Sequence, residues 1–137
     1  MKSYVLDACA LIALFQEEEG ANVVENLLVE AKEGICTVFM HRLNLMEVYY
    51  GYLRDFGSEI AQKHIDAVES SCIKIIDTIS KEIMYEASKI KSIHKMSLAD
   101  SIAVAQGVIK RAILVTSDHH ELDAVDKDGL VEILWIR

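Results

Sequence analysis

Three aspartates occupy the same kind of position in this sequence, at the junction between two apolar segments. Asp7 follows a β-rich run in "SYVLDACALIALF", Asp118 follows another in "ILVTSDHH", and Asp100 opens a helical pattern in "SLADSIAVA". Each has a simple explanation, because Asp often caps the following helix. Asp118 with Glu121, and Ser97 with Asp100, have the spacing of a capping box. Taken singly, each Asp is better explained as a cap than as a catalyst. Capping alone does not decide whether the three form a site together.

A fourth acid, Glu47, lies inside the helical segment "LNLMEVYYGY", where an acid is usually a solvent-facing residue. Its neighbours at i−3 and i+4 are Asn44 and Gly51, which share its side of a helix. Gly inside a helix costs about 1 kcal/mol relative to Ala. We therefore expect another group to pack or dock closely on this face.

Short apolar strands alternate with helical patterns along the chain. The strands are predicted at residues 3–6, 35–40, 72–76, 112–116 and 131–136. The helices are predicted after the first strand up to residue 15 and at residues 20–32, 43–56, 58–71, 80–95 and 97–110. Alternation of this kind implies parallel strands joined by right-handed crossovers. We expect one domain over residues 1–137 with an α/β fold, a three-layer α/β/α sandwich.

Composition and charge narrow the possible functions. Hydrophobic residues make up 52% of the 137 residues and charged residues 26%, which is typical of a globular protein. The longest apolar run, residues 8–15, is too short to cross a bilayer, and we expect a mature cytosolic protein without a membrane segment. Three widely spaced cysteines encode neither a zinc motif nor a disulfide framework. The net charge of −8 requires any nucleic-acid contact to be local.

Several common α/β chemistries lack their motifs here. The sequence contains no G-x-G-x-x-G after a strand and no G-x-x-x-x-G-K-[ST], so the usual phosphate-binding loops are absent. "DAC" lacks the second Asp of a D-x-D phosphatase, and no G-x-S-x-G elbow is present. His119 and His120 are adjacent, so their side chains diverge and we expect structural or surface roles for them.

An all-oxygen cluster from four separate stretches remains: Asp7, Glu47, Asp100 and Asp118. Asp7 and Asp118 each follow a strand, and ligands of open parallel sheets bind at the carboxyl ends of the strands. Clustered carboxylates repel one another unless a cation neutralises them, and Mg²⁺ or Mn²⁺ suits oxygen ligands better than Zn²⁺. Such ions activate water and stabilise an in-line displacement at phosphorus, which is nuclease chemistry.

The same residues carry a resemblance to a known family. D-x-C near the N-terminus, N-x-x-E-V in a helix after the second strand, "SLADSIAVA" and "ILVTSDHHELD" occur in an order that resembles the PIN domain family. Within that family the chain is most similar to VapC-type toxins of bacterial and archaeal toxin–antitoxin pairs. The similarity runs from Tyr4 to Asp123, and it rests on the four motifs together because no single one is diagnostic.

The resemblance implies a Mg²⁺- or Mn²⁺-dependent ribonuclease on a parallel sheet of about five strands, normally dimeric and inhibited by a cognate antitoxin. Its acidic metal site corresponds to Asp7, Glu47, Asp100 and Asp118. The implied supporting residues, from the N-x-x-E and T-x-D motifs and an acid nearby, are Asn44, Thr116 and Asp123, of which Asp123 is equally compatible with a surface role. Cys9 stands where the family commonly has Ser or Thr, which weakens an expected hydrogen bond near the metal.

The sequence therefore predicts a metal-dependent endoribonuclease that leaves a 5′-phosphate, as the family implies. Its phosphate contacts must come from local bases such as Arg42, Arg54, Lys95, Lys110 and Arg111. Two alternatives remain open: a 5′-nuclease-like enzyme acting on DNA flaps, and a binding module whose acids serve only as helix caps.

Overall fold

The computed structural model describes residues 1–137 and contains five strands and seven helices. The strands are β1 (Lys2–Leu6), β2 (Cys36–His41), β3 (Lys74–Ile76), β4 (Ile113–Thr116) and β5 (Ile133–Trp135). The helices are α1 (Ala8–Phe15), α2 (Ala21–Lys32), α3 (Arg42–Phe56), α4 (Ser58–Glu69), α5 (Lys81–Ile93), α6 (Leu98–Lys110) and α7 (His119–Lys127). All predicted elements are present with small shifts at their ends. The helix expected after Asp118 is α7.

The five strands form one parallel sheet in the order β3-β2-β1-β4-β5. The chain builds the sheet in one direction from β1 to β3 and then returns to place β4 on the other side of β1. The order therefore reverses between β1 and β4, where Leu6 pairs with Val115. Ligands of open parallel sheets bind at such a reversal, and the residues that follow β1 and β4 lie there.

The two faces of the sheet bury different side chains, because successive residues of a strand point in opposite directions. Tyr4 and Leu6 of β1 belong to a core cluster with residues of α1, α2, α3 and α4. Val5 belongs to a second cluster with residues of α5, α6 and α7. The predicted three-layer α/β/α sandwich is confirmed. No helix is long and apolar enough to cross a membrane.

Helix α6 is the most deeply buried helix, with every residue from Ser101 to Gly107 buried. Its N-terminus is capped by Ser97, whose hydroxyl accepts a hydrogen bond from the Asp100 amide at 3.1 Å. The helix leads into the start of β4, so its N-terminal turn lies at the carboxyl edge of the sheet and its C-terminus at the amino edge. This direction brings Asp100 to the edge at which β1 and β4 end.

The expectation of close packing at Gly51 is wrong within this chain. A Cβ placed on Gly51 would meet no other atom within 4 Å. The residue instead borders an open groove between α1 and α3, with Ile12, Gln16, Val48 and Tyr52 among the lining side chains. The space beside Gly51 is therefore empty in this chain.

Candidate metal centre

Asp7 is the most buried of the four acids, with 1% of its surface exposed. It caps α1, and its Oδ1 accepts a hydrogen bond from the Ala10 amide at 2.9 Å. Its Oδ2 accepts a hydrogen bond from the Thr116 hydroxyl. Burial raises the pKa of Asp7 to about 7, and the negative charges of Asp100 and Asp118 raise it further, while the two hydrogen bonds oppose the rise.

Thr116 connects the end of β4 to the residue that follows β1, across the point where the strand order reverses. Its hydroxyl, at the end of β4, donates to Asp7 after β1 and accepts from the Asp118 amide at 3.0 Å. Thr116 is fully buried, so these contacts use both the donor and an acceptor site of the hydroxyl. Thr116 thus positions Asp7 through its side chain and Asp118 through its backbone.

Asp118 caps α7, as its spacing to Glu121 predicts, and its Oδ1 accepts from the Glu121 amide at 3.1 Å. Unlike Asp7, it is only half-buried, so part of the carboxylate faces solvent. Both aspartates that follow a strand are helix caps. Their carboxylates nevertheless lie near other acids, as the pKa of Asp7 shows.

Glu47 and Asp100 reach the site from α3 and α6. Burial raises the pKa of Glu47, and Asp100 and Asp118 raise it further. Burial likewise raises the pKa of Asp100, as do Asp118 and Glu121, while its contact with Ser97 opposes the rise. Both acids therefore lie within electrostatic range of Asp118.

Asn44 connects the two helices that carry these acids. Its Nδ2 donates to the carbonyl of Ala99 at 3.1 Å, next to Asp100, and the residue is fully buried. Its Oδ1 is buried and has no hydrogen-bond partner. Asn44 precedes Glu47 by three residues on α3, so its bond to α6 holds Glu47 near Asp100.

Cys9 lies among all four acids. Burial raises the pKa of its thiol to about 12, and the charges of Asp7, Asp118, Asp100 and Glu47 each contribute. This thiol stays neutral at physiological pH. It is the one side chain whose raised pKa has contributions from all four acids, so all four lie within electrostatic range of it.

The chemistry of these side chains suits a divalent ion bound by oxygen ligands, although the side chains do not form a closed cage. No group of three or more His, Cys, Asp or Glu side chains is already arranged to hold a metal ion. Carboxylates that repel one another spread apart in the absence of a cation. The donor set is hard oxygen, and the partnerless Oδ1 of Asn44 is a further oxygen acceptor at the junction of α3 and α6.

The other predicted residues differ in their distance from the four acids. Asp123 is exposed on α7, where its Oδ1 accepts a hydrogen bond from His119 Nδ1 at 2.8 Å, and its charge does not contribute to the raised pKa of Asp7, Glu47 or Asp100. Lys110 and Arg111 directly precede β4, which puts them at the opposite edge of the sheet. Arg42 follows β2 at the carboxyl edge and forms an ion pair with Asp77.

The acids at the reversal of a parallel sheet define an α/β protein with a candidate site for phosphodiester hydrolysis. The chain belongs to the PIN domain family, whose model matches residues 4–128. PIN domains are nucleases that generally depend on divalent metal ions. By sequence alone, no curated protein matches the chain.

Solved structures share its fold. The DNA-bound VapBC complex of Salmonella typhimurium contains a chain with a TM-score of 0.77 and 14% identity, with 100% of both chains covered. A toxin–antitoxin complex from Klebsiella pneumoniae has a TM-score of 0.70 and 19% identity, with 98% of both covered. The sarcin–ricin loop-cleaving toxin VapC20 of Mycobacterium tuberculosis has a TM-score of 0.69 and 14% identity, covering 88% of this chain and 94% of the other.

Proposed function

We propose that this protein is a Mg²⁺- or Mn²⁺-dependent endoribonuclease and the toxin of a toxin–antitoxin pair. The observation that carries the proposal is that four acids from four segments lie within electrostatic range of one side chain, Cys9. Membership of a nuclease family supports hydrolysis. The similar fold of a toxin described as cleaving the sarcin–ricin loop supports RNA as the substrate. The similar fold in toxin–antitoxin complexes supports a cognate antitoxin as partner.

Asp7, Glu47, Asp100 and Asp118 would hold the metal through carboxylate oxygens. When bound, the ion would supply an activated water nucleophile and neutralise charge at the scissile phosphate. Thr116 restrains Asp7 and Asp118, and the bond from Asn44 to α6 restrains the helix of Glu47. Such contacts hold the ligands in place before the ion binds.

Cleavage assays on purified protein free of antitoxin test this proposal. The protein should cut single-stranded or loop RNA in Mg²⁺ or Mn²⁺, because unpaired strands let a phosphate reach the carboxylates, and EDTA should abolish cutting. Asp7→Asn, Asp100→Asn and Asp118→Asn should each lower kcat about 100-fold or more, and combined losses should be non-additive because ligands of one ion act as a unit.

The substitutions to Asn also separate the enzyme from a binding module. Asn caps helices about as well as Asp, so a purely structural role predicts at most an effect on stability and no change in RNA cleavage. Asp123→Asn is the matched control on α7 and should cost less activity. Full RNA cleavage by the Asp7→Asn, Asp100→Asn double variant at unchanged stability would refute the proposal. Preferential cutting of DNA flaps in the same assay would favour the 5′-nuclease alternative.

A further inference from the structure

An aromatic stack stands beside the candidate metal centre and has no role in the site described so far. The rings of His119 and Trp135 are 3.8 Å apart and inclined by 10°. His119 Nδ1 lies 2.8 Å from Asp123 Oδ1 and its Nε2 lies 2.9 Å from the carbonyl oxygen of Arg137, and both nitrogens donate when the imidazole is protonated. Trp135 Nε1 donates to Asp126 at 3.1 Å. Three hydrogen bonds thus fix the orientation of both rings.

The sheet places this stack next to the acids. His119 directly follows Asp118, and Trp135 on β5 pairs with Thr116 on β4. Thr116 in turn bonds to Asp7. Adjacent strands of a sheet lie about 4.8 Å apart. The stack therefore lies at the carboxyl edge, one strand beyond the hydrogen bonds that hold two of the proposed metal ligands.

About half of the His119 side chain stays exposed to solvent. The indole of Trp135 covers one face, yet 49% of the His119 side chain is exposed. A ring that served only the core would be covered on both sides. Here a flat ring is held in a fixed orientation and stays half-exposed to solvent, directly after Asp118 in the chain.

We propose that the His119–Trp135 platform, defined as these two stacked rings, binds an unpaired base of single-stranded RNA beside the scissile phosphate. The inference rests on the proposed function, because it takes RNA as the substrate of the neighbouring carboxylates. Bases of single strands commonly stack on aromatic side chains, and such stacking tolerates any sequence. It also needs no positive charge, which suits a protein with a net charge of −8.

Trp135 is the only tryptophan of the chain, so intrinsic fluorescence reports on the platform directly. The binding experiment uses the Asp7→Asn variant in Mg²⁺ to suppress cleavage, with a short labelled RNA of mixed, unstructured sequence as the probe. Labelled-RNA anisotropy measures affinity, and Trp135 emission measures contact at the platform. We expect saturable quenching of Trp135 that follows the anisotropy curve, and weaker binding of a duplex of the same length.

Substitutions at His119 identify what the ring contributes. His119→Ala should weaken RNA binding about tenfold or more, because base stacking on an aromatic ring is lost. His119→Phe keeps a flat ring and should restore most of the affinity. If His119 acted through its hydrogen bonds or by positioning Asp118, Phe could not replace it. His120→Ala changes the neighbouring exposed histidine and should leave affinity unchanged. Melting curves check that each variant is folded.

The outcomes separate this inference from the proposed function. If RNA binds with unchanged affinity to His119→Ala, or without any change in Trp135 emission, the platform does not hold the base and the inference is overturned. The nuclease proposal then stands as long as the wild type still cuts RNA. If the wild type neither binds nor cuts RNA with Mg²⁺ or Mn²⁺ present, both fail. Failure of His119→Phe to restore affinity in a folded protein would also overturn stacking.

Discussion

Asp7 combines burial with a charge that the folded chain alone does not neutralise. Its carboxyl is almost fully buried, and its only hydrogen-bond donors are the Ala10 amide and the Thr116 hydroxyl. No cationic group contributes to its pKa, which burial raises from 3.8 to about 7. At this residue, the ionised carboxylate is therefore unfavourable in the folded chain as long as no cation neutralises it.

The pH dependence of stability tests this at the residue scale. Between pH 3.8 and about 7 the unfolded chain has ionised Asp7 while the folded chain keeps it protonated, so stability without metal should fall as pH rises through that range. Above pH 7 the difference corresponds to on the order of 4 kcal/mol. Asp7→Asn should therefore be more stable than wild type at pH 7.5 in EDTA, by chemical denaturation, and the gap should narrow towards pH 4.

Millimolar Mn²⁺ or Mg²⁺ should raise the melting temperature of the wild type by binding the folded state, and should do so less for Asp7→Asn. Glu25→Gln, which changes an exposed acid on α2, is the control and should follow the wild-type profile. A gap between Asp7→Asn and wild type that is constant across pH would contradict the raised pKa. No metal response in the wild type would contradict the metal centre.

Helix α3 contributes to the site on one side and borders open space on another. Asn44 ties it to α6, while Gly51 borders the groove against α1. Gly107 in α6 contrasts with Gly51, because a Cβ there would lie 2.7 Å from Val131 Cγ2. Two glycines inside helices thus have opposite surroundings.

Alanine substitution at these two glycines tests the element scale. Gly51→Ala should raise the free energy of unfolding by about 1 kcal/mol, because helix propensity improves and the new methyl meets no atom. Gly107→Ala gains the same propensity but should lower stability, since the methyl overlaps Val131 unless α6 and the segment before β5 separate. Urea denaturation measures both. A loss of stability in Gly51→Ala would show that something does pack on that face.

The molecule as a whole leaves an apolar surface on the outer side of α3. Met46, Tyr50 and Leu53 follow helical spacing and are exposed at 57%, 54% and 40%. They point away from the residues that α3 buries, which are Asn44, Leu45, Val48 and Tyr52. The PIN resemblance implies a dimer, and this stripe is a surface that a second copy of the chain would cover.

Light scattering tests association at this scale. The wild type should have a mass of twice the 15.4 kDa of one chain. The double variant Met46→Lys, Leu53→Lys should shift towards the single-chain mass, because two charges in an apolar interface lose solvation without partners. Val29→Lys removes a similarly exposed apolar side chain from α2 and should stay dimeric. A wild-type mass near 15.4 kDa at every concentration would contradict the dimer.

Local patterns in the sequence were sufficient to predict the order of the strands and helices and the edge of the sheet at which Asp7 and Asp118 lie. Strand and helix periodicities are properties of short windows, and in a parallel sheet any residue that directly follows a strand lies at the carboxyl edge. Asp7 and Asp118 could therefore be assigned to one edge without coordinates. The helical acids Glu47 and Asp100 were candidates by residue type, and the PIN resemblance, whose family is confirmed by the family match, implied the same four acids as its metal site.

Only the tertiary structure decided how these segments meet. The strand order put β4 beside β1, which let Thr116 reach Asp7 across 109 residues of sequence. The contact between Asn44 and α6, the place of Cys9 among the acids and the stacking of His119 on Trp135 also join separate elements. Periodicity describes the face that an element buries, whereas contacts between elements depend on how whole faces pack. For the same reason, the lone glycine at 51 could not reveal whether its space was filled.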